Sequence, residues 1–281
     1  MMILNLDKKF KPILGEEIQH ETFFFSGGEP HIKINPIIDT DKVFITHRIN
    51  SFNDLGILLV AVDALRRLGI KKMELLLPYF PAARQDRVMV NGEPLTVKVY
   101  ADIINNMQLD KVTIIDPHSE VTSALLNDCN IINNHEFISK VTQQLPKKLL
   151  LVAPDAGAVK KIHKLARHLK DYEVLECAKS RDLKTGALSG FKVPIDDLKQ
   201  NACLIVDDIC DGGGTFLGLA KELKNCNAGD LYLAVSHGIF SKGLKTLQDN
   251  FKTIFTTDSI KQYDSNEVNQ IQIKEIISYE I

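Results

Sequence analysis

No two cysteines of this sequence are separated by only two residues, so the CxxC pairs of zinc ribbons and dithiol redox sites are excluded. The five cysteines, Cys129, Cys177, Cys203, Cys210 and Cys226, are odd in number and widely spaced. That argues against a disulfide framework and for reduced, partly buried thiols in a reducing compartment. An excess of either charge is also missing: 34 Lys and Arg face 36 Asp and Glu, a formal net charge of −2. No global basic field attracts nucleic acid or an anionic membrane surface, so an anionic ligand must be held by a local site. No apolar stretch approaches the length of a membrane span, and residues 1–10 lack the apolar core of a signal peptide. A soluble chain in the cytoplasm is expected, with neither membrane nor nucleic acid as partner. Low-complexity segments and short repeat periods are absent too.

What is present is an ordinary globular composition, 44% hydrophobic and 25% charged, over 281 residues, enough for two modest domains. Short apolar runs alternate with helical patterns. Strands are predicted at 43–46, 73–77 and 112–115, and again at 149–153, 173–178, 203–206 and 231–235. Between them the spacing predicts helices over 53–68, 94–107, 157–169, 214–223 and 241–248. In the first helix Leu55, Leu58, Leu59, Val62 and Leu65 form the apolar stripe, Ser51 or Asn53 is the candidate cap, and Gly69 the candidate stop. Strands alternating with helices indicate parallel α/β sheets. The pattern restarts after a junction near 139–146, giving expected domains of 1–140 and 141–281. In such sheets ligands bind beyond the carboxyl ends of the strands, so the residues after each strand carry the functional reading.

The strongest local signal is Val206, Asp207, Asp208, Ile209, Cys210, Asp211, Gly212, Gly213, Gly214 and Thr215. An apolar strand feeds two acids, then three glycines and a threonine that open a helix. Glycines allow backbone N–H groups to approach an anion closely, and the helix N-terminus adds a favourable dipole. Thr215 offers a hydroxyl, while Asp207 and Asp208 can bind sugar hydroxyls or hydrated Mg²⁺. A phosphate on the loop beside hydroxyls on the acids describes a sugar phosphate. A glycine turn with an Asp cap is the plain alternative.

Other strand ends are polar in the same way. Pro78-Tyr79-Phe80-Pro81-Ala82-Ala83-Arg84-Gln85-Asp86-Arg87 follows one strand; Arg84 can stack on a base or fork onto phosphate, and Gln85 and Asp86 add polar contacts. Asp116-Pro117-His118-Ser119 follows the next. Ala153-Pro154-Asp155-Ala156-Gly157 follows a third, where Asp155 can also cap a helix. Lys179-Ser180-Arg181 opens a polar stretch, 182–190, suited to a mobile lid. Phe24-Phe25-Ser26-Gly27-Gly28-Glu29 and Ser236-His237-Gly238-Ile239-Phe240-Ser241 complete the set.

These motifs, in this order, resemble the ribose-phosphate pyrophosphokinase family. The triple-glycine loop alone resembles the phosphoribosyl-binding loop of the wider type I phosphoribosyltransferase fold, which does not separate synthetase from transferase. The departures are Gly27 for the usual Asn or Asp, Pro117 within an Asp-Leu-His pattern, Gly212 for the usual Thr, a short lid, and a poorly matching tail over 258–281. The resemblance implies two tandem type I phosphoribosyltransferase-like α/β domains with parallel sheets flanked by helices. It implies transfer of pyrophosphate from ATP to the C1 hydroxyl of ribose 5-phosphate, with Mg²⁺ as cofactor. Lys179 and Arg181 would neutralise the transferring group. Phe25, Glu29, Arg84, Gln85, Asp86 and His118 would bind ATP, with Phe25 and Glu29 reaching a neighbouring subunit's adenine. Asp207, Asp208, Asp211, Gly212, Gly213, Gly214 and Thr215 would bind ribose 5-phosphate, and His118 and Asp155 would hold the metal. A homo-oligomer with its active site near a subunit interface follows. His237 reads better as structural. A nucleobase phosphoribosyltransferase, a non-catalytic regulatory relative and an unrelated sugar-phosphate module are the alternatives.

Overall fold

The computed structural model describes residues 2–35, 40–170, 172–181, 188–264 and 266–277; at 180, 181, 188 and 189 it describes the backbone alone. The chain divides into two units, Met1–Asn133 with Gln272–Ile281, and Asn134–Ile271.

The first unit contains β1 (Met2–Asn5), β2 (Glu16–Glu17), β3 (His20–Phe24), β4 (Pro30–Ile34), β5 (Lys42–Thr46), α1 (Phe52–Arg67), β6 (Lys72–Leu77), α2 (Thr96–Asn106), β7 (Lys111–Ile115), α3 (Glu120–Leu125) and β8 (Cys129–Ile132). Its sheet runs β2-β1-β5-β6-β7-β8, with every pairing parallel. β3 and β4 form a separate antiparallel hairpin. The sheet follows from near-continuous apolar runs such as Val43-Phe44-Ile45, buried on both faces as in crossover-covered parallel sheets. On α1, Leu55, Leu58, Val62 and Leu65 face the core as the spacing predicts, but Leu59 is 42% exposed. Ser51 is the cap, its side chain accepting from the Asp54 N–H, and Gly69 follows the helix at φ +88°. α2 begins at Thr96, so Pro94 lies ahead of the helix rather than in its first turn.

The second unit contains α4 (His135–Thr142), β9 (Leu149–Ala153), α5 (Ala156–Leu169), β10 (Glu173–Glu176), β11 (Ala178–Arg181), β12 (Leu188–Lys192), β13 (Ala202–Cys210), α6 (Gly214–Asn225), β14 (Leu231–Gly238), α7 (Lys245–Gln248), β15 (Thr253–Thr257) and β16 (Asn269–Ile271). Its sheet, β10-β9-β13-β14-β15-β16, is again parallel throughout. Its core includes Val152, Ile205, Leu219, Leu223, Leu233 and Val235. β11 and β12 form an antiparallel pair of their own.

In the second unit, β13, β14 and α7 depart from the sequence expectation. β13 and β14 run past their apolar stretches and carry Asp207, Asp208, Ser236 and His237 inside the ladder, where Asp207 pairs with Val235 and Ile209 with His237. The helix expected over 241–248 is the single turn of α7, because Phe240 (φ 48°) and Gly243 (φ 76°) fold the preceding residues into a tight turn. Of the stretch expected as a lid, 182–190, residues 182–187 lie outside the described residues; Lys179 and Arg181 before it lie on β11, and 188–190 on β12.

None of the five cysteines forms a disulfide. Burial pushes Cys177 up to about 12 and Cys203 up to about 11, which leaves both protonated and unreactive at neutral pH. Among the described residues, no helix is long and apolar enough to cross a membrane.

Candidate active site

In the second unit the candidate residues cluster at the carboxyl ends of β9 and β13, which are neighbours in the sheet. Asp208 is buried, Asp207 is half-buried, and the Asp208 N–H donates to Asp207 Oδ1 at 3.0 Å. Burial holds the Asp207 carboxyl well above the usual carboxylate range; the adjacent Asp208 charge adds to this, and Asp155 contributes further. Asp155 follows β9 and caps α5, its Oδ1 accepting from the N–H groups of Gly157 (3.0 Å) and Ala158 (3.2 Å). Its other oxygen, Oδ2, pairs with Lys179 Nζ at 2.5 Å, both side chains about one quarter exposed. The capping role and the charge role fall on different oxygens of one carboxylate. Arg181 pairs through its backbone with Leu188, and its side chain lies outside the described residues.

Beyond β13 the chain turns through Asp211 and Gly212 to Gly213, which caps α6 in the left-handed conformation (φ 75°). A Cβ there would also stand 3.1 Å from Leu247 Cδ2, so glycine is required by both conformation and space. A Cβ on Gly214 would meet nothing within 4 Å. No side chain caps α6 and no acid lies in its first turn, so its N–H groups and dipole suit an anion from outside. Thr215, in that turn, is half-buried.

The carboxylate set bears on Mg²⁺. Among the described residues, no three His, Cys, Asp or Glu side chains converge closely enough to hold a metal directly. Oxygen-only donors, one or two carboxylates at a time, are what a hydrated Mg²⁺ on a phosphate substrate takes, and Asp207, Asp208 and Asp155 fit that mode. His118 belongs to the other unit, where it is exposed after β7.

In the first unit, the turn after β6 is anchored by buried Phe80 and Ala83. The Gln85 N–H donates to the Ala82 carbonyl at 2.8 Å, and the Gln85 carbonyl accepts from Val97 N–H at 3.3 Å. Arg84 and Gln85 are exposed and Asp86 half-buried, so a fixed backbone presents polar heads outward. His118 stands two residues beyond Asp116, which is buried at φ 38° with its N–H donating to Ile132. Phe25 tips the β3–β4 hairpin and is 54% exposed, its ring edge-on to Phe23 at 5.1 Å and to His31 at 5.5 Å. The Glu29 carboxylate folds back over the tip, both oxygens 2.6 Å from where a Gly27 Cβ would stand.

Residues that sequence reasoning missed support the second cluster from behind. Tyr263 donates its hydroxyl to the carbonyls of Gly238 (2.8 Å) and Ile239 (3.2 Å), and burial pushes that hydroxyl's pKa up. Ser259 Oγ bonds His237 Nδ1 at 2.8 Å, and both residues are buried, which makes His237 structural. Both partners come from the poorly matching tail, which carried no signal of its own.

Comparison with known proteins separates the remaining readings. Residues 10–107 match the N-terminal domain of ribose phosphate pyrophosphokinase, and residues 124–272 the phosphoribosyl transferase domain. The ribose-phosphate pyrophosphokinase of Mycoplasma genitalium is 30% identical over 265 residues, covering 90% of this chain and 79% of that protein. The chain belongs to the ribose-phosphate pyrophosphokinase family. The Mycoplasma pneumoniae member is 30% identical over 283 residues, 97% of this chain and 84% of its own length. The crystal structure of phosphoribosylpyrophosphate synthetase from Mycobacterium smegmatis superposes with a TM-score of 0.82 over 99% of this chain and 96% of that one, at 20% identity, which establishes the fold. Two phosphoribosyltransferase-type α/β domains in tandem are therefore the architecture of this pyrophosphokinase-family enzyme. The N-terminal match is the part that a nucleobase phosphoribosyltransferase leaves unexplained. It spans the β3–β4 hairpin and Arg84 to Asp86, whereas the transferase match spans Asp155, Lys179 and the Asp207 to Thr215 segment. His118 lies between the two.

Proposed function

We propose that this enzyme transfers pyrophosphate from ATP to the C1 hydroxyl of ribose 5-phosphate. The carrying observation is that the pyrophosphokinase N-terminal domain and an acid-glycine phosphoribosyl loop occur in one chain. The C1 oxygen attacks the β-phosphorus in line, the bond from that phosphorus to the α–β bridging oxygen breaks, AMP leaves, and the hydroxyl proton passes to solvent. Such a displacement asks for positioning and electrostatics rather than covalent participation. Gly212 to Thr215 and the α6 N-terminus hold the 5-phosphate, with Asp211 beside them. Asp207 and Asp208 orient the ribose hydroxyls. Arg84, Gln85, Asp86 and His118 position ATP, and Lys179 and Arg181 meet the charge on the transferring group. Mg²⁺, when bound, would neutralise the triphosphate; Asp155 and, on the other unit, His118 are each proposed as a residue that holds it, beside the carboxylate oxygens of Asp207 and Asp208.

The exposed Phe25, with Glu29 beside it, supports a further part of the proposal: copies of the chain assemble, and this hairpin tip reaches the adenine of a neighbour. A cytoplasmic location belongs to the same reading. The test is AMP formation from ATP, measured with and without ribose 5-phosphate and Mg²⁺. AMP release that requires both supports the reading, and none under any condition overturns it; pyrophosphate release from phosphoribosyl pyrophosphate that needs a nucleobase points to a transferase. Sedimentation with Phe25→Ala tests the assembly, which predicts loss of apparent ATP affinity without loss of folding.

A further inference from the structure

The loop proposed to hold the 5-phosphate has no cation of its own. From Asp207 to Thr215 the side chains are three carboxylates, two apolar groups, one hydroxyl and three glycines. A phosphomonoester dianion brought against Asp211, with Asp207 and Asp208 close by in the chain, meets like charge that backbone N–H groups offset only in part. A cation from elsewhere in the unit would strengthen such a site.

One is built onto the loop from the turn after β14. The side chain of Lys242 lies along the bare face of Gly212, its Cε, Cδ and Cγ at 3.4, 3.5 and 3.7 Å from where a Cβ on residue 212 would stand. A Cβ at 212 would be in ordinary van der Waals contact with this stem, so the stem packs beside the loop, and exposed Lys242 carries its ammonium one bond beyond Cε, as long cationic side chains do over packed surface. Its backbone is fixed on both sides. Ile239 and Phe240 donate their N–H groups to Cys210 O, Ser241 donates to Asp211 O at 3.1 Å, and Gly243 donates to Phe240 O. Tyr263 pins the same turn through the Gly238 and Ile239 carbonyls. The turn and the phosphate loop are thus one hydrogen-bonded frame, with Lys242 seated on it.

We propose that Lys242 is a substrate-binding residue that supplies the positive charge for the phosphomonoester group at the Gly212 face of the loop. This rests on the pyrophosphokinase reading for the identity of the substrate, though not for the presence of the anion site.

The test uses the full chain with Lys242→Met, which keeps the stem and removes the charge, Lys242→Arg, which keeps the charge, and calorimetry with ribose 5-phosphate, unphosphorylated ribose and inorganic phosphate. Loss of one charge-assisted contact predicts about a 10- to 100-fold rise in the KM and Kd for ribose 5-phosphate in Lys242→Met. The kcat and the KM for ATP should stay within about twofold, and Lys242→Arg should recover most of the affinity. Ribose 5-phosphate affinity equal to wild type in Lys242→Met overturns the proposal, as does an equal loss for ribose or ATP. A loss confined to inorganic phosphate would move Lys242 to a separate anion site and overturns it too. If the wild type makes no AMP but binds ribose 5-phosphate through Lys242, the catalytic reading fails while this one stands; if it binds neither phosphate compound, this one fails.

Discussion

Replacing Asp155 separates two jobs that one carboxylate does. Oδ1 caps α5 through the Gly157 and Ala158 N–H groups, and Oδ2 pairs with Lys179 at 2.5 Å. Asp155→Ala removes both. Loss of the cap costs about 1 kcal/mol, within a range of roughly 0.5–2. The charge near the helix N-terminus contributes about 0.3–1 kcal/mol more. The ion pair, one quarter exposed on each side, is screened and adds roughly 0–1 kcal/mol. The Ala variant should therefore lose on the order of 1–3 kcal/mol, read as a lower urea midpoint at unchanged slope. Asp155→Asn keeps an acceptor of equal capping rank and loses only the charge terms, so its stability should fall by less than about 1.5 kcal/mol. Turnover should order differently. If the charge on Oδ2 holds Lys179, and through it the transferring group, Asn is as damaging as Ala, with a loss on the order of a hundred-fold. Equal destabilisation by Asn and Ala would refute the capping argument. Near-normal turnover in Asp155→Asn would refute the charge argument.

Other perturbations test neighbouring parts of the site. Lys179→Ala should cut turnover roughly 100- to 1,000-fold while nucleotide affinity, measured by equilibrium binding, changes little; near-normal turnover removes Lys179 from the chemistry. The Asp207 carboxyl is raised in the folded protein, so the folded state binds its proton more tightly than the unfolded chain, whose value is near 3.8. Stability of the ligand-free protein must then fall as pH rises from that value through the folded one, so above it this carboxyl is a net cost to the fold. Asp207→Asn should stabilise the ligand-free protein at pH 7, with the gain shrinking as pH approaches that of the unfolded carboxyl. A variant no more stable than wild type in a pH 7 melt contradicts this. Gly213→Ala forces a side chain into the left-handed region beside Leu247, which should cost about 1–2 kcal/mol in denaturant titration and weaken ribose 5-phosphate binding; unchanged stability would show that the cap tolerates a Cβ.

Most of the sheet architecture is legible in the sequence because parallel strands buried on both faces are short continuous apolar runs. β9 coincides with the run at 149–153, and α5 begins within one residue of its expectation because Asp155 is both strand terminator and cap. What the pattern does not show is set by pairing rather than by composition. Asp207, Asp208 and His237 read as loop residues because they are polar, yet they continue β13 and β14 because the adjacent strands offer backbone partners as far as Cys210 and Gly238. The β3–β4 hairpin escapes a search for alternating apolar residues because Phe23, Phe24 and Phe25 are consecutive and exposed. α7 is overestimated because helical spacing continues through Gly243, whose φ of 76° no helix permits.

For the site the division is different. A motif is visible when its residues are contiguous and chemically unlike their surroundings, as in the acid-glycine segment after β13 or the Arg84 turn after β6. A contribution is invisible when it depends on where another strand ends. Ser259 and Tyr263 matter only because β14 delivers His237, Gly238 and Ile239 to them. Lys242 looks like any solvated lysine until its stem is seen to pack beside Gly212. The glycine that weakens the loop as a motif is the position against which a lysine stem from the next turn packs. A Cβ at 212 would only touch that stem, but the further atoms of a threonine in Gly212→Thr should push Lys242 off the loop. A structure of that variant with the lysine unmoved would show that the two positions are independent.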